Sequence, residues 1–111
     1  MKQDIEIIRG TTNTFAVTVK DKSTGNLYEM AEGEIIRFGV KKKPEHEDYV
    51  LLKEFTTMTD GVCEIRIAPD DTASLPFGKY FYDVGLQSGA DYFPVIKPSV
   101  FHIKANITKK G

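Results

Sequence analysis

The sequence predicts an all-β domain, an antiparallel β-sandwich of two sheets. Apolar and polar residues alternate in short runs along the chain, which is typical of strands with one buried face. Turn-forming residues separate these runs, and no stretch has the 3.6-residue period of an amphipathic helix. We expect about eight strands and one short helical turn near residues 69–75, arranged as an immunoglobulin-like Greek key.

Most of the predicted strands precede the helical turn. They cover residues 4–8, 13–20, 34–42, 49–55 and 62–67, with a short extra piece at Leu27 and Tyr28. In the second of these strands, Phe15, Val17 and Val19 share one face, and the many β-branched residues favour strand over helix. The turns between strands follow from segments such as DKSTGN and Thr59-Asp60-Gly61.

A predicted corner carries the chain from one sheet to the other. Asp70 or Asp71 can cap the helical turn by accepting hydrogen bonds from N–H groups two or three residues further on. Gly78 permits a backbone angle that a residue with a Cβ resists, so the chain can change direction there. The predicted corner residues are Asp71, Leu75, Pro76, Gly78, Tyr80 and Tyr82.

The strand after the corner has the clearest alternation in the chain. Its even positions from Tyr80 to Leu86 are apolar, which places them on one buried face. A Tyr that follows such a corner often donates its hydroxyl to an upstream backbone group, and Tyr80 is the candidate.

Two further strands are predicted after a hairpin turn at residues 88–91, namely 92–97 and 100–108. Proline cannot donate to a neighbouring strand, so Pro94 indicates that 92–97 is an edge strand. The possible partner-binding edge consists of Tyr92, Phe93 and Val95. Pro94 could equally serve to block such pairing.

Composition restricts the class of protein. The chain has 111 residues, enough for a single domain spanning residues 1–111, and it contains neither a secretory signal nor an apolar run long enough to span a membrane. The net charge of −1 argues against binding to nucleic acid. Cys63 is the only cysteine, and its place in an alternating strand predicts a buried small hydrophobe without a disulfide.

No catalytic, cofactor or metal site is predicted. The two histidines lie in a polar loop and on an outward strand face, away from any candidate nucleophile. The acidic segment Glu45–Asp48 is a weak metal candidate, because neighbouring residues of an extended loop point apart. Helix capping accounts for the pair Asp70 and Asp71.

Several stretches resemble the family of phage baseplate upper protein N-terminal domains. They are IIRGTTNTFAVTVKD, EIIRFGVKKKP, APDDTASLPFGKYFYDVGLQ and FHIKANITK, which together cover nearly the whole chain. The matching residues are Arg9, Gly10, Phe15, Thr72, Leu75, Pro76, Gly78, Tyr80, Tyr82 and Asp83, and the resemblance implies for them a scaffold role. Thr11 and Thr12 depart from the family, which has an acidic residue there, and the 111 residues do not include the longer C-terminal part to which such a domain is often joined in the family.

The resemblance implies a non-enzymatic structural protein of a phage or prophage tail or baseplate. Such a protein is made in the host cytoplasm, becomes part of the virion, and acts as an assembly adaptor that binds other tail proteins and forms homo-oligomers in the particle. The alternative is a stand-alone binding module for a cell-surface glycan or protein, with Tyr49, His46 or Tyr92 at its surface. A hydrolase or isomerase on the same scaffold would need a pocket of converging polar groups.

Overall fold

The computed structural model describes residues 4–21 and 23–105 of the chain, and strands make up most of them. These residues form seven strands and one helical turn. The elements are β1 (Ile5–Ile8), β2 (Asn13–Thr18), β3 (Ile35–Lys41), β4 (Leu51–Phe55), β5 (Val62–Ile67), α1 (Pro69–Thr72), β6 (Gly78–Ser88) and β7 (Asp91–Lys104). Leu27 forms only an isolated bridge to Lys20. The prediction of an all-β chain with one helical turn is therefore confirmed.

The strands form a curled five-stranded sheet and a two-stranded sheet. The order in the larger sheet is β1-β7-β6-β3-β4, and β2 pairs with β5 in the smaller one. Pairing is antiparallel except between β1 and β7, where Ile5 lies opposite Phe101 in a parallel register. The expectation of purely antiparallel sheets is wrong for this pair. Almost the whole chain lies between these two strands, which leaves ample length for a parallel connection.

The two strands predicted at 92–97 and 100–108 form the single strand β7, so the proline-based boundary between them is wrong. Two irregularities in the β6–β7 register explain how the prolines are accommodated, since each adds one residue to β7. The pairs on either side of these bulges are Gly85 with Pro94, Val84 with Ile96, and Tyr82 with Ser99. Residues in a bulge do not make regular hydrogen bonds to the neighbouring strand. Proline has no N–H to donate and is therefore tolerated near such positions. Ala105 is exposed and lies beyond the end of β7, and residues 106–108 of the predicted last strand lie outside the described residues.

Both sheets contribute to one hydrophobic core. The smaller sheet supplies Val17, Cys63, Ile65 and Ile67, and the larger sheet supplies Ile7, Ile36, Phe38, Val40, Tyr80, Tyr82, Val84, Leu86, Ile96, Phe101 and Ile103. The rings of Phe38, Tyr82 and Phe101 pack at centroid distances of 5.6 to 6.1 Å. Cys63 is buried, as predicted, and burial raises the pKa of its thiol.

The corner carries the chain from β5 in the smaller sheet to β6 in the larger sheet. Gly78 has a φ of 141°, a conformation that side chains with a Cβ disfavour. The Tyr80 hydroxyl donates to the Pro76 carbonyl at 2.7 Å, the type of bond predicted for this tyrosine. Leu75 is half-buried and packs against the core.

The cap of α1 differs from the prediction. The helix begins at Pro69, and the Asp71 carboxylate accepts a hydrogen bond from the N–H of Ala68 at 2.7 Å, three residues upstream. Ala68 has no side-chain acceptor, so only the acidic half of a capping box exists here. Asp71 therefore stabilises the start of the helix from its third position. Among the described residues, no helix is long and apolar enough to span a membrane.

The turn after β1 is attached to this corner. The N–H of Gly10 donates to the hydroxyl of Thr72 at 2.9 Å, and the Arg9 guanidinium donates to the Leu75 carbonyl at 3.3 Å. The same guanidinium lies 4.0 Å from the centroid of the Phe77 ring. Thr72 is fully buried, so water does not reach its hydroxyl group. The Gly10 N–H provides the hydrogen-bond partner that this buried hydroxyl needs.

Candidate functional site

One side of the gap between the two sheets is closed by Lys53. This residue lies on the edge strand β4, and its ammonium group donates to the Arg66 carbonyl of β5 and to the Asp71 carboxylate, each at 2.7 Å. Burial alone would raise the pKa of Asp71, but the hydrogen bonds from Lys53 and Ala68 outweigh it and lower the pKa. The larger sheet, the smaller sheet and α1 are thus joined at this side.

The opposite side is open along two strand edges. Within the described residues, β2 pairs only with β5, and β7 pairs with β1 only from Phe101 to Lys104. The first part of β7, from Asp91 to Pro98, therefore has a strand partner on one side alone among the described residues. Unpaired edges present backbone N–H and C=O groups that can bind a further strand.

A groove lies between these two edges, and we call it the β2–β7 groove. One part has a volume of about 330 Å³ and is lined by apolar residues such as Phe15, Val17 and Ile96. The neighbouring part has a volume of about 650 Å³, and its lining includes Leu86, Phe93 and Val95. The groove thus has an apolar floor on its inner side, where the smaller sheet does not cover the larger one.

The rim of the groove is mainly acidic. Among the described lining residues, the carboxylates are Asp4, Asp21, Glu34 and Asp91, and Lys20 is the one cation. An excess of one charge favours a ligand of the opposite charge. The groove is therefore suited to a segment that combines apolar with basic side chains.

Glu34 closes one end of the groove. It is only 6% exposed, and its carboxylate accepts hydrogen bonds from the Tyr28 hydroxyl and the Ala31 N–H at 2.7 Å. The Ala31 bond, followed by the Tyr28 bond, lowers the pKa of Glu34. The bond to Glu34, together with burial, raises the pKa of Tyr28 to about 12. Sequence reasoning missed this pair, because a glutamate at the start of an alternating strand gives no local signal of burial.

The residues of the predicted partner-binding edge are divided between the two faces of the larger sheet. Phe93 is 52% exposed and lies with Val95 in the groove. Tyr92 lies on the other face, where its ring covers Gly85. Successive residues of a strand point to opposite faces of the sheet. Tyr92 and Phe93 therefore cannot both belong to one binding surface at the edge of β7.

Tyr49, the other tyrosine considered for surface binding, shares the outer face with Tyr92. Its ring covers Gly39 of β3, whereas His46 lies in the exposed loop between β3 and β4. The segment Glu45–Asp48 is exposed throughout. In the part of the chain that the structure describes, no three His, Cys, Asp or Glu side chains are placed to hold a metal ion.

Comparison with protein-family models and with curated proteins gives no match for this sequence. The resemblance to the baseplate upper protein family stays a prediction from the residues quoted for it.

Proposed function

We propose that this chain is a non-enzymatic assembly adaptor of a phage or prophage tail or baseplate. In this proposal it is a virion protein made in the host cytoplasm, and it forms homo-oligomers in the particle. It binds other tail proteins by taking one of their extended segments into the β2–β7 groove. The shared core of the two sheets supports the finer assignment of the fold as an immunoglobulin-like sandwich.

The open edge of β7 beside an apolar groove is the observation on which the proposal depends. An extended segment can pair with such an edge through its main chain and place alternate side chains in the groove. The inserted side chains would cover Phe93 and Val95, and basic residues of the segment would face the acidic rim. Pro94 lacks an N–H, so pairing would be interrupted at that residue and would depend on its neighbours.

Co-purification with the proteins encoded by neighbouring genes tests this function. We expect tail genes beside this gene and a complex of this chain with at least one of their products, measured by size-exclusion chromatography with light scattering. The substitution Phe93→Asp should abolish the complex, because it places a charge in the apolar groove and adds to the acidic rim. Tyr92→Asp is the matched control, since Tyr92 is equally exposed but lies on the opposite face.

Two results would contradict the adaptor function. One is the absence of a complex with every tail protein encoded nearby. The other is an equal loss of binding in the Phe93 and Tyr92 variants, which would exclude the groove as the binding surface.

A second candidate function is a stand-alone binding module for a cell-surface glycan or protein. The specific observation in its favour is that Tyr49 and Tyr92 are 46% and 50% exposed and lie on one sheet face. Large exposed aromatic side chains on a rigid sheet are common at binding surfaces.

A further inference from the structure

We infer that the outer face of the five-stranded sheet binds a neutral sugar through Tyr49, Tyr92 and Asp83. This inference rests on the second candidate function and specifies its site and its ligand class. Tyr49 and Asp83 line a cavity of about 80 Å³ on the face opposite the β2–β7 groove. Tyr92 does not line the cavity, but its ring covers Gly85 on the same face. Tyr82 is the one residue that lines both the cavity and the groove, and none of the three residues proposed here lines the groove, so the two sites can be tested separately.

Two glycines hold the tyrosine rings close to the sheet. A Cβ at Gly39 would lie 2.5 Å from Cε1 and 3.0 Å from Cδ1 of Tyr49, and a Cβ at Gly85 would overlap the Tyr92 hydroxyl. The two glycines belong to the adjacent strands β3 and β6. An aromatic ring that covers a glycine also stabilises a sheet, and this structural role explains where the rings lie. This structural role does not explain why about half of each tyrosine remains exposed to solvent.

Asp83 lies between the two tyrosines. It pairs with Gly39 across the strands and precedes Gly85 by two residues, so its side chain belongs to the same face. Burial raises the pKa of this carboxyl group more than Lys41 lowers it. The pKa of Tyr92 is raised by burial first and by the charge of Asp83 second. No side chain or backbone group among the described residues donates a hydrogen bond to it. A partly dehydrated acceptor without a donor is suited to ligand hydroxyl groups.

The charges around the site favour a neutral ligand. The ammonium group of Lys41 lines the same cavity as Asp83 and lies 4.8 Å from the centroid of the Tyr49 ring. Arg37 is paired with Glu54 at 3.2 Å. Lys41 offsets Asp83 and Glu54 offsets Arg37, so the charged groups beside the two tyrosines are balanced. The ammonium group of Lys79 lies 5.4 Å from the centroid of the Phe81 ring and is a further charge near the cavity that disfavours a cation. Lys41 also occupies a cation-binding position at Tyr49, which disfavours an ammonium ligand.

A sugar ring has the two kinds of surface that this site can bind. Its C–H face can pack on a tyrosine ring, and its hydroxyl groups can donate to Asp83 or accept from Lys41. The cavity, bounded by Pro44, Phe81 and Pro98, has room for a few water-sized groups, which corresponds to the hydroxyl edge of one ring. The remaining rings of an oligosaccharide would extend over the exposed tyrosines.

Titration of the whole chain with neutral methyl glycosides and short neutral oligosaccharides, followed by amide NMR, tests the site. The panel comprises glucose, galactose, mannose, rhamnose and N-acetylglucosamine derivatives. We expect saturable shifts for at least one sugar, centred on Gly39, Asp83 and Gly85. The chain has no tryptophan, so quenching of tyrosine fluorescence gives a second readout.

The variants Tyr49→Ala, Tyr92→Ala and Asp83→Asn should each weaken sugar binding by about tenfold or more. Gly85→Ala should have the same effect, because it displaces the Tyr92 ring while keeping the tyrosine. Phe93→Ala is the matched control and should change the affinity by less than about twofold, since Phe93 is an equally exposed neighbour on the other face. Amide spectra of each variant distinguish a local change from unfolding.

Three outcomes would overturn the inference. They are no saturable shift with any sugar of the panel, shifts that lie outside the outer face, and equal losses in the Tyr92 and Phe93 variants. Shifts elsewhere would leave a sugar-binding module with a different site, whereas no binding at all would remove the sugar ligand. A complex that depends on Phe93 but not on Tyr92 would support the adaptor function whatever the result with sugars.

Discussion

Tyr80 combines two roles at the residue scale, because its ring is buried and its hydroxyl bonds to the Pro76 carbonyl at 2.7 Å. Tyr80→Phe keeps the packing and removes the bond, so we expect a loss of about 1 kcal/mol in the free energy of unfolding. Urea denaturation should show a lower midpoint with an unchanged m-value. Tyr49→Phe is the control at a tyrosine that is 46% exposed, and an equal loss there would contradict a specific role of the Tyr80 bond.

Glu34 should make stability depend on pH. Its pKa is lowered in the folded protein, so its stabilisation is complete above the ordinary carboxyl pKa and is lost as the pH falls through the lowered value. Glu34→Gln removes this charge. We therefore expect the variant to be less stable than the original chain by about 1–3 kcal/mol at pH 7, with the difference shrinking below about pH 4. Thermal unfolding at a series of pH values measures it, and a difference that stays constant with pH would contradict the prediction.

At the scale of elements, Lys53 connects β4 to β5 and α1. Lys53→Met keeps most of the aliphatic stem and removes the ammonium group, and we expect a loss of about 1–2 kcal/mol because Asp71 loses its ion pair while it keeps the bond from the Ala68 N–H. The pKa of Asp71 should rise, which NMR titration of its carboxyl group detects. Lys79→Met, at an exposed lysine, is the control and should leave the Asp71 titration unchanged.

Strands in which apolar and polar residues alternate strictly could be predicted from the sequence. The burial of every second residue depends only on neighbouring positions in the chain. The buried positions Ile36, Phe38 and Val40 of β3 are an example. The continuity of β7 could not be predicted in this way. Pro94 interrupts pairing locally, but bulges that depend on the partner strand β6 absorb it. The parallel β1–β7 pair likewise depends on residues at opposite ends of the chain.

The candidate site was only partly predictable for the same reason. The aromatic residues Tyr92 and Phe93 stand out in the sequence as an exposed edge. The alternation of side chains along a strand predicts that Tyr92 and Phe93 lie on opposite faces of the sheet. It does not predict which groups of other strands surround each of them. The groove beside Phe93 exists because the smaller sheet stops short of β7, and the surface around Tyr92 exists because glycines from β3 and β6 meet there.

For the whole molecule, the sheets are closed at β4 and open at β7. Lys53 and the corner connect the sheets at the closed side, so a segment that binds at the open side need not disturb those contacts. Rigid support beside an unpaired edge reduces the entropy lost on binding. Under the two proposals made above, the same scaffold would bind a strand on one face and leave the opposite face available to a small ligand.

Folding of the whole chain should end with the pairing of β1 and β7. The N–H of Val100 bonds to the Asp4 carboxylate across 96 positions of sequence, whereas β3 pairs with the nearby β4. Closing the longest loop costs the most chain entropy, so we expect β1 to dock after the rate-limiting step.

Ile7→Ala tests this order, because Ile7 is 2% exposed and lies opposite Ile103. It should cost about 2–4 kcal/mol, mostly as faster unfolding. Ile36→Ala, at a buried position between β4 and β6, should slow folding more strongly. Stopped-flow chevrons in urea measure both rates, and an equal slowing of folding in the two variants would show that β1 pairs early.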